Sequence, residues 1–164
     1  MNVKNIGISF VILFGFWLLL NGTFTTPIIV TGLIVSLIIP MFFCARCDVF
    51  ADMRLTPKAF LYTFIYLFVF AFELVKANLD VTRRVISPKL PINPGIVKVK
   101  TKLKSKMARM ILANSITLTP GTFTLAIEKK YLYIHWIDVQ DKDVEAATKE
   151  IVQKFEKYLE VIYG

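Results

Sequence analysis

Glu73, Lys76, Asp80 and Arg84 follow one another at spacings of three, four and four residues, so a helix carrying them sets four ionisable side chains on one face. The preceding stretch, Ala59–Phe72, is uncharged and holds five phenylalanines and two tyrosines. Ionisable groups at membrane depth are costly to bury and point to ion or proton handling, which makes Glu73, Lys76 and Asp80 a possible ion path. The competing reading is a mutually paired, solvated exit from a bilayer, since Lys76 and Asp80 come within one or two turns of Glu73. Cys44-Ala-Arg-Cys47 has the spacing of a redox or metal pair. A thiol redox site opens a helix after a strand, whereas this pair closes an apolar segment. A structural zinc site needs four ligands, and the only other good candidate, His135, is far away in sequence. His135, beside Trp136, reads as a core or interface residue rather than a catalyst. No glycine-rich phosphate loop, catalytic triad signature or metal-ligand cluster is present. The expectation is a protein that is not an enzyme and holds neither cofactor nor metal.

The elements that position these residues follow from composition. Of 164 residues, 55% are hydrophobic and the mean hydropathy is +0.60, which makes membrane residence the first expectation. Residues 1–80 carry five basic and four acidic residues, a net of +1, and residues 81–164 carry fifteen and eight, a net of +7. An apolar anchor is thus joined to a basic piece near the lower size limit for a domain standing alone. Ile6–Leu20 and Pro27–Cys44 are uncharged, and as helices they extend roughly 22 and 27 Å, short to marginal against a hydrocarbon core of about 30 Å. Asn21-Gly22-Thr23 turns one into the other. Gly7 and Gly15, with Gly32 and Ser36, offer small faces for close packing or are simply tolerated in lipid.

After the link at Arg46–Lys58, Thr56-Pro57 starts a third helix that runs until Ser87-Pro88. Glu73, Lys76, Asp80 and Arg84 share one of its faces, and Phe72, Val75, Leu79 and Ile86 take another. The helix is expected to leave the membrane around Glu73 and continue into water. The expected organisation is therefore a membrane helical hairpin over 1–55, a third membrane helix with a polar cytoplasmic extension over 56–88, and a basic cytoplasmic domain over 89–164. Nine basic and no acidic residues lie between Arg83 and Arg109, which places the C-terminal half in the cytoplasm. Three full spans then leave Arg46, Arg54 and Lys58 outside, against the rule; a short hairpin entering from the cytoplasm would keep every basic cluster inside.

In the basic half, Val97, Val99 and Thr101 alternate with Lys98, Lys100 and Lys102, a half-buried strand over Ile96–Leu103 with a lysine face. The lysines guard an exposed edge or rest on anionic lipid headgroups. Ser105 caps a helix over Met107–Ile116, which ends before a Thr119-Pro120-Gly121 turn of type II character. Phe123, Leu125 and Ile127 alternate, Glu128-Lys129-Lys130 turns, and Tyr131–Val139 returns. Asp141 or Asp143 caps a last helix in which Val144, Ala147, Ile151, Phe155, Tyr158 or Leu159, and Ile162 form the apolar stripe, while Lys149, Glu150, Lys154, Glu156, Lys157 and Glu160 face water. The fold class is an α-helical membrane anchor of about three apolar helices with a small α+β domain in β-α-β-β-α order, both helices covering one sheet face.

Five blocks occur in order: Glu73-Leu-Val-Lys76-Ala-Asn-Leu-Asp80-Val, Ser87-Pro-Lys89, Pro94-Gly95-Ile96-Val97, Leu112-Ala-Asn-Ser-Ile-Thr-Leu-Thr-Pro-Gly-Thr122 and Tyr133-Ile134-His135-Trp136-Ile137-Asp138-Val139. Together they resemble the E-type subunit of the Mrp-type (also called Mnh) multisubunit sodium/proton antiporters, over nearly the whole chain. The resemblance implies a small multi-pass component of a complex in the bacterial cell membrane, partnered by the other antiporter subunits and supporting assembly, activity or the sodium route. On that footing, Asn114, Thr117, Thr119, Pro120 and Gly121 are a candidate rigid docking corner, or a turn that only shapes its domain. Glu73 becomes a candidate member of a cation path. The alternative is a membrane-anchored adaptor that binds anionic headgroups through Lys98, Lys100 and Lys102, without transport. Nucleic acid is not an expected partner, because no aromatic residues interleave the Arg83–Arg109 charges.

Overall fold

The structure, a computed structural model, describes residues 3–43, 52–141 and 143–164. Cys44, Arg46 and Cys47 lie outside the described residues. The chain forms two compact units, Met1–Met53 and Arg54–Gly164.

The first unit is a helical hairpin of α1 (Val3–Asn21) and α2 (Thr26–Phe43). Gly22, at φ +61°, makes the turn in the left-handed region, where a side chain would be strained. Gly32, Ser36 and Pro40 recur every four residues and form the buried stripe of α2. A Cβ at Gly32 would lie 2.5 Å from Trp17 Cδ1, so glycine is needed for this approach. The Trp17 indole donates to the Ile28 carbonyl at 3.0 Å. On α1 the contact face is Asn5 and Ser9. Gly7 and Gly15, read as either a small packing face or residues simply tolerated in lipid, have nothing within 4 Å of where a Cβ would sit, which removes the packing face. With residues 5 and 9 one turn apart against α2, residue 7 is rotated out of the contact.

The second unit begins with α3 (Pro57–Ile86), capped by the Thr56 hydroxyl accepting from the Ala59 amide at 3.1 Å. Three antiparallel strands follow in the spatial order β1-β3-β2: β1 (Gly95–Lys100), β2 (Thr122–Glu128) and β3 (Tyr131–Trp136). Helix α4 (Lys106–Leu118) precedes β2, and α5 (Val144–Ala147), a π-helical turn (Thr148–Val152) and α6 (Gln153–Tyr163) follow β3. Ser105 caps α4 and Asp143 caps α5, the latter accepting from the Glu145 and Ala146 amides at 2.9 and 3.1 Å. Val97, Val99, Leu132 and Ile134 point from the sheet into a core shared with Leu112, Ile116, Phe155 and Leu159. The opposite sheet face aligns Ile96, His135 and Phe123 across the three strands, with His135 exposed. His135 is therefore outside the core.

Both expected strand ends move. β1 stops at Lys100 because β3 begins at Tyr131; the Thr101 amide still reaches the Lys130 carbonyl at 2.8 Å, after which the Thr101 hydroxyl and the Lys102 amide need another acceptor. Glu156 supplies it, accepting from the Thr101 hydroxyl and, at 2.7 Å, from the Lys102 amide. Glu156 is thereby buried at 5% exposure rather than facing water. The π-helical turn rotates the helix so that neighbouring Ile151 and Val152 are both buried.

Candidate site between helix α3 and the Thr-Pro-Gly corner

The charged face of α3 turns toward the domain, and its apolar face turns out. Along its inner side Tyr62 meets Tyr158 at 6.3 Å between ring centroids, and Tyr66 and Phe70 meet Phe155 at 6.4 and 6.3 Å. The Tyr66 hydroxyl bonds to that of Ser115 on α4. One turn on, Glu73 accepts from Lys154 Nζ at 3.1 Å. Near the C-terminal end Arg84 forks between two carboxylates, with Nε on Asp80 and Nη1 on Asp138, both at 2.7 Å. Nη1 also donates to the Pro91 carbonyl at 2.8 Å. The hydrogen bond to Asp80, then that to Asp138, hold the guanidinium above its ordinary value.

Between α3 and the domain lies a cavity of about 280 Å³ whose walls include Glu73, Lys76, Asp80 and Arg84 from α3, Thr119, Pro120 and Gly121 from the corner, Asp138 beyond β3, and Lys154. The structure thus brings together the ion-path candidates and three of the five corner residues, which are well separated along the sequence. The ion pairing differs from a self-paired helix face, since Glu73 and Arg84 reach across to the domain. Asn114 and Thr117 do not line the cavity: Asn114 is exposed on α4, and the Thr117 hydroxyl accepts from the Thr124 amide at 3.2 Å. Asp138 and Lys154 are the functional candidates that sequence reasoning missed. Asp138 lay inside one of the five ordered blocks, but only the fold shows that it faces Arg84.

The corner owes its rigidity to its own residues. Pro120 and Gly121 occupy the centre of a turn closed by the Thr122 amide on the Thr119 carbonyl at 3.3 Å, with Gly121 at φ +89°. The Thr119 hydroxyl donates to the Ser115 carbonyl at 2.7 Å, and the Thr122 hydroxyl to the Ile116 carbonyl at 2.6 Å, tying the turn to the end of α4. A Cβ on Gly121 would lie 3.0 Å from Ile137 Cγ2 and 3.5 Å from Val81 Cγ2, so the corner seats α3 directly. Elsewhere, Lys98 Nζ sits 4.1 Å from the Tyr131 ring centroid, and Lys98, Lys100 and Lys102 border a second, basic concavity with Arg109 and Lys130. Among the described residues no group of three or more potential metal ligands is found.

The family model described as Na+/H+ ion antiporter subunit matches residues 10–162. The chain belongs to this family. It is 36% identical to the E1 component of the Na+/H+ antiporter of Staphylococcus haemolyticus, over 84% of this chain and 85% of that protein. It is 47% identical to the E component of the Na+/H+ antiporter of Alkalihalophilus pseudofirmus, over 52% of this chain and 54% of that one. The resemblance carried by the five ordered blocks is therefore that of a family member. A solved chain of the membrane-bound sulfane sulfur reductase, an archaeal respiratory membrane complex, is 42% identical and superposes with a TM-score of 0.85, covering 97% of this chain and 99% of that one. Three helices of this member of the antiporter family, α1, α2 and α3, are long and apolar enough to cross a membrane by length and composition.

Proposed function

We propose that the chain is a non-catalytic integral component of a multisubunit cation/proton antiporter, serving its assembly, its sodium route, or both. The observation that carries the proposal is the family match from residue 10 to residue 162, which takes in every element that builds the cavity. In this reading the cavity, lined by acidic and basic side chains in nearly equal number, is a guarded polar site beside α3. Lys154 holds Glu73 in reserve and Arg84 locks Asp80. The Thr119-Pro120-Gly121 corner keeps α3 at the distance that preserves the cavity, and its outer side docks a neighbouring subunit. The domain lies on the cytoplasmic side, supported by the nine basic residues of Arg83–Arg109.

The test is sodium-dependent antiport in everted vesicles with and without this chain, with assembly of the remaining complex followed in parallel. Loss of antiport from an intact complex supports the sodium route; loss of the complex supports assembly; unchanged antiport from an intact complex overturns both. Two variants refine it. If Glu73 serves the cation, Glu73→Gln lowers apparent sodium affinity about tenfold, equal to ~1.4 kcal/mol. Lys154→Gln, which frees the same carboxylate, does not. If the pair is only structural, the two variants behave alike. Pro120→Ala with an intact, fully active complex would remove the docking role of the corner.

A second reading is favoured by the likeness to the respiratory-complex chain: a membrane adaptor that organises partner subunits without taking part in transport. Lys98, Lys100 and Lys102 would then hold anionic headgroups at the basic concavity. Antiport that survives deletion of the chain supports this reading.

A further inference from the structure

We infer that α3 does not cross the membrane but lies in the plane of its surface, with its outward apolar stripe sunk among the lipid chains. The inference holds for either kind of complex and starts from how α3 is used inside its own unit. Its inner face is occupied from end to end: Arg54, just before the helix, donates its amide to the Ile162 carbonyl at 2.9 Å. Tyr62, Tyr66 and Phe70 then meet α6, Glu73 pairs with Lys154, Val81 abuts Gly121 and Arg84 binds Asp138. The thirty residues of α3 extend about 45 Å, and the domain accompanies them for that length.

A spanning α3 would centre Ala59–Phe72 in the hydrocarbon. The part of α6 packed along that stretch through Tyr158 carries Lys157 and Glu160 on its far side, both exposed, and they would enter with it. Charged side chains at that depth are rare, because their burial is so unfavourable. Laid flat, the helix places only its other face in lipid. That face is mostly apolar, with Asn78 and Thr82 as its exposed polar residues: Phe60, Phe64, Phe68, Phe72, Leu79 and Ile86 are each about half exposed or more, with Phe68 at 76% and Ile86 at 75%. Lys58, Arg83 and Lys89 are exposed and basic, matching anionic headgroups. The occupant is the bilayer rather than a protein because α2 ends at Phe43 and α3 begins at Pro57, so the stripe starts within a short linker of a membrane hairpin. The arrangement also removes the conflict in charge placement: with two spans, Lys4, Arg46, Arg54, Lys58 and the Arg83–Arg109 cluster all share one side.

The experiment uses the full chain in its native membrane, with Cys44→Ser and Cys47→Ser as background and Lys58→Cys or Lys89→Cys added singly. Labelling by a membrane-impermeant maleimide is compared between intact cells and everted vesicles. Both ends of α3 are expected to react from the same side, in everted vesicles. Reaction from opposite sides overturns the inference. Reaction of both only in intact cells keeps the in-plane helix and instead overturns the cytoplasmic placement proposed above. Spin labels at Phe64→Cys, Phe68→Cys and Val75→Cys, in the full chain reconstituted into phosphatidylcholine/phosphatidylglycerol vesicles, complete the test. The inference requires greater collision with dissolved oxygen than with an aqueous nickel chelate, at one common depth. Depth that changes steadily along the helix, free access to nickel, or shielding from both reagents by a protein neighbour each overturns it.

Discussion

Gly121 and Arg84 show how single residues hold α3 to the domain. Gly121 has a positive φ and a neighbouring side chain where its Cβ would go, so both terms oppose substitution. Gly121→Ala is expected to destabilise the second unit by about 1–3 kcal/mol, read as a lower midpoint of thermal unfolding of the purified protein. Arg84→Met leaves Asp80 and Asp138 without their shared cation, and its expected cost is about 1.5–3 kcal/mol in the same measurement. Arg84→Lys restores the charge without the two-pronged geometry and should fall between wild type and Arg84→Met. The type II turn at Pro120-Gly121 was legible from the dipeptide alone. The partner of Arg84 was not, because Asp138 approaches through the fold from 54 residues away.

At the scale of elements, α3 and α6 form the seam of the second unit. Tyr163, at the end of α6, is partly buried there, and burial first, then the nearby Tyr66 phenol, raise its proton affinity above the ordinary tyrosine value. The folded state therefore keeps its proton over a range of pH in which the unfolded chain has lost it. The resulting stabilisation is complete below the unfolded value of about 10 and is lost as pH rises through the higher folded value. Denaturant unfolding followed from roughly pH 9 to 11 should show stability falling with pH, and Tyr163→Phe should flatten that fall. Sequence periodicity located α4, the hairpin and the last helix, since amphipathic stripes and caps are local. It missed the π-helical turn, which is imposed when Thr148 accepts from the Lys100 amide at 2.9 Å while Ile151 and Val152 are drawn into the core.

For the whole molecule the division at Met53 and Arg54 has a direct consequence. Residues 54–164 contain α3, the sheet and every ion pair described above. Expressed without the hairpin, they are expected to fold and to bind preformed vesicles from solution, high salt weakening the attachment made by the basic flanks and leaving that made by the apolar stripe. Sedimentation with phosphatidylglycerol vesicles over a series of salt concentrations would check this, and failure to bind preformed vesicles would count against an in-plane α3.

The sequence by itself determined the three apolar helices, the β-α-β-β-α order, the caps, the basic bias and the family. Each of these depends on residues close together in the chain or on ordered motifs that survive without a fold. Only the tertiary structure decided which face of α3 is covered. Helical spacing separates a charged face from an apolar one, but it does not say which meets the domain and which is left exposed. That choice fell to the long-range partners Lys154, Asp138 and Ser115, whose polar atoms satisfy the charged and hydroxylic side of α3 and leave Phe60, Phe64, Phe68 and Phe72 facing outward.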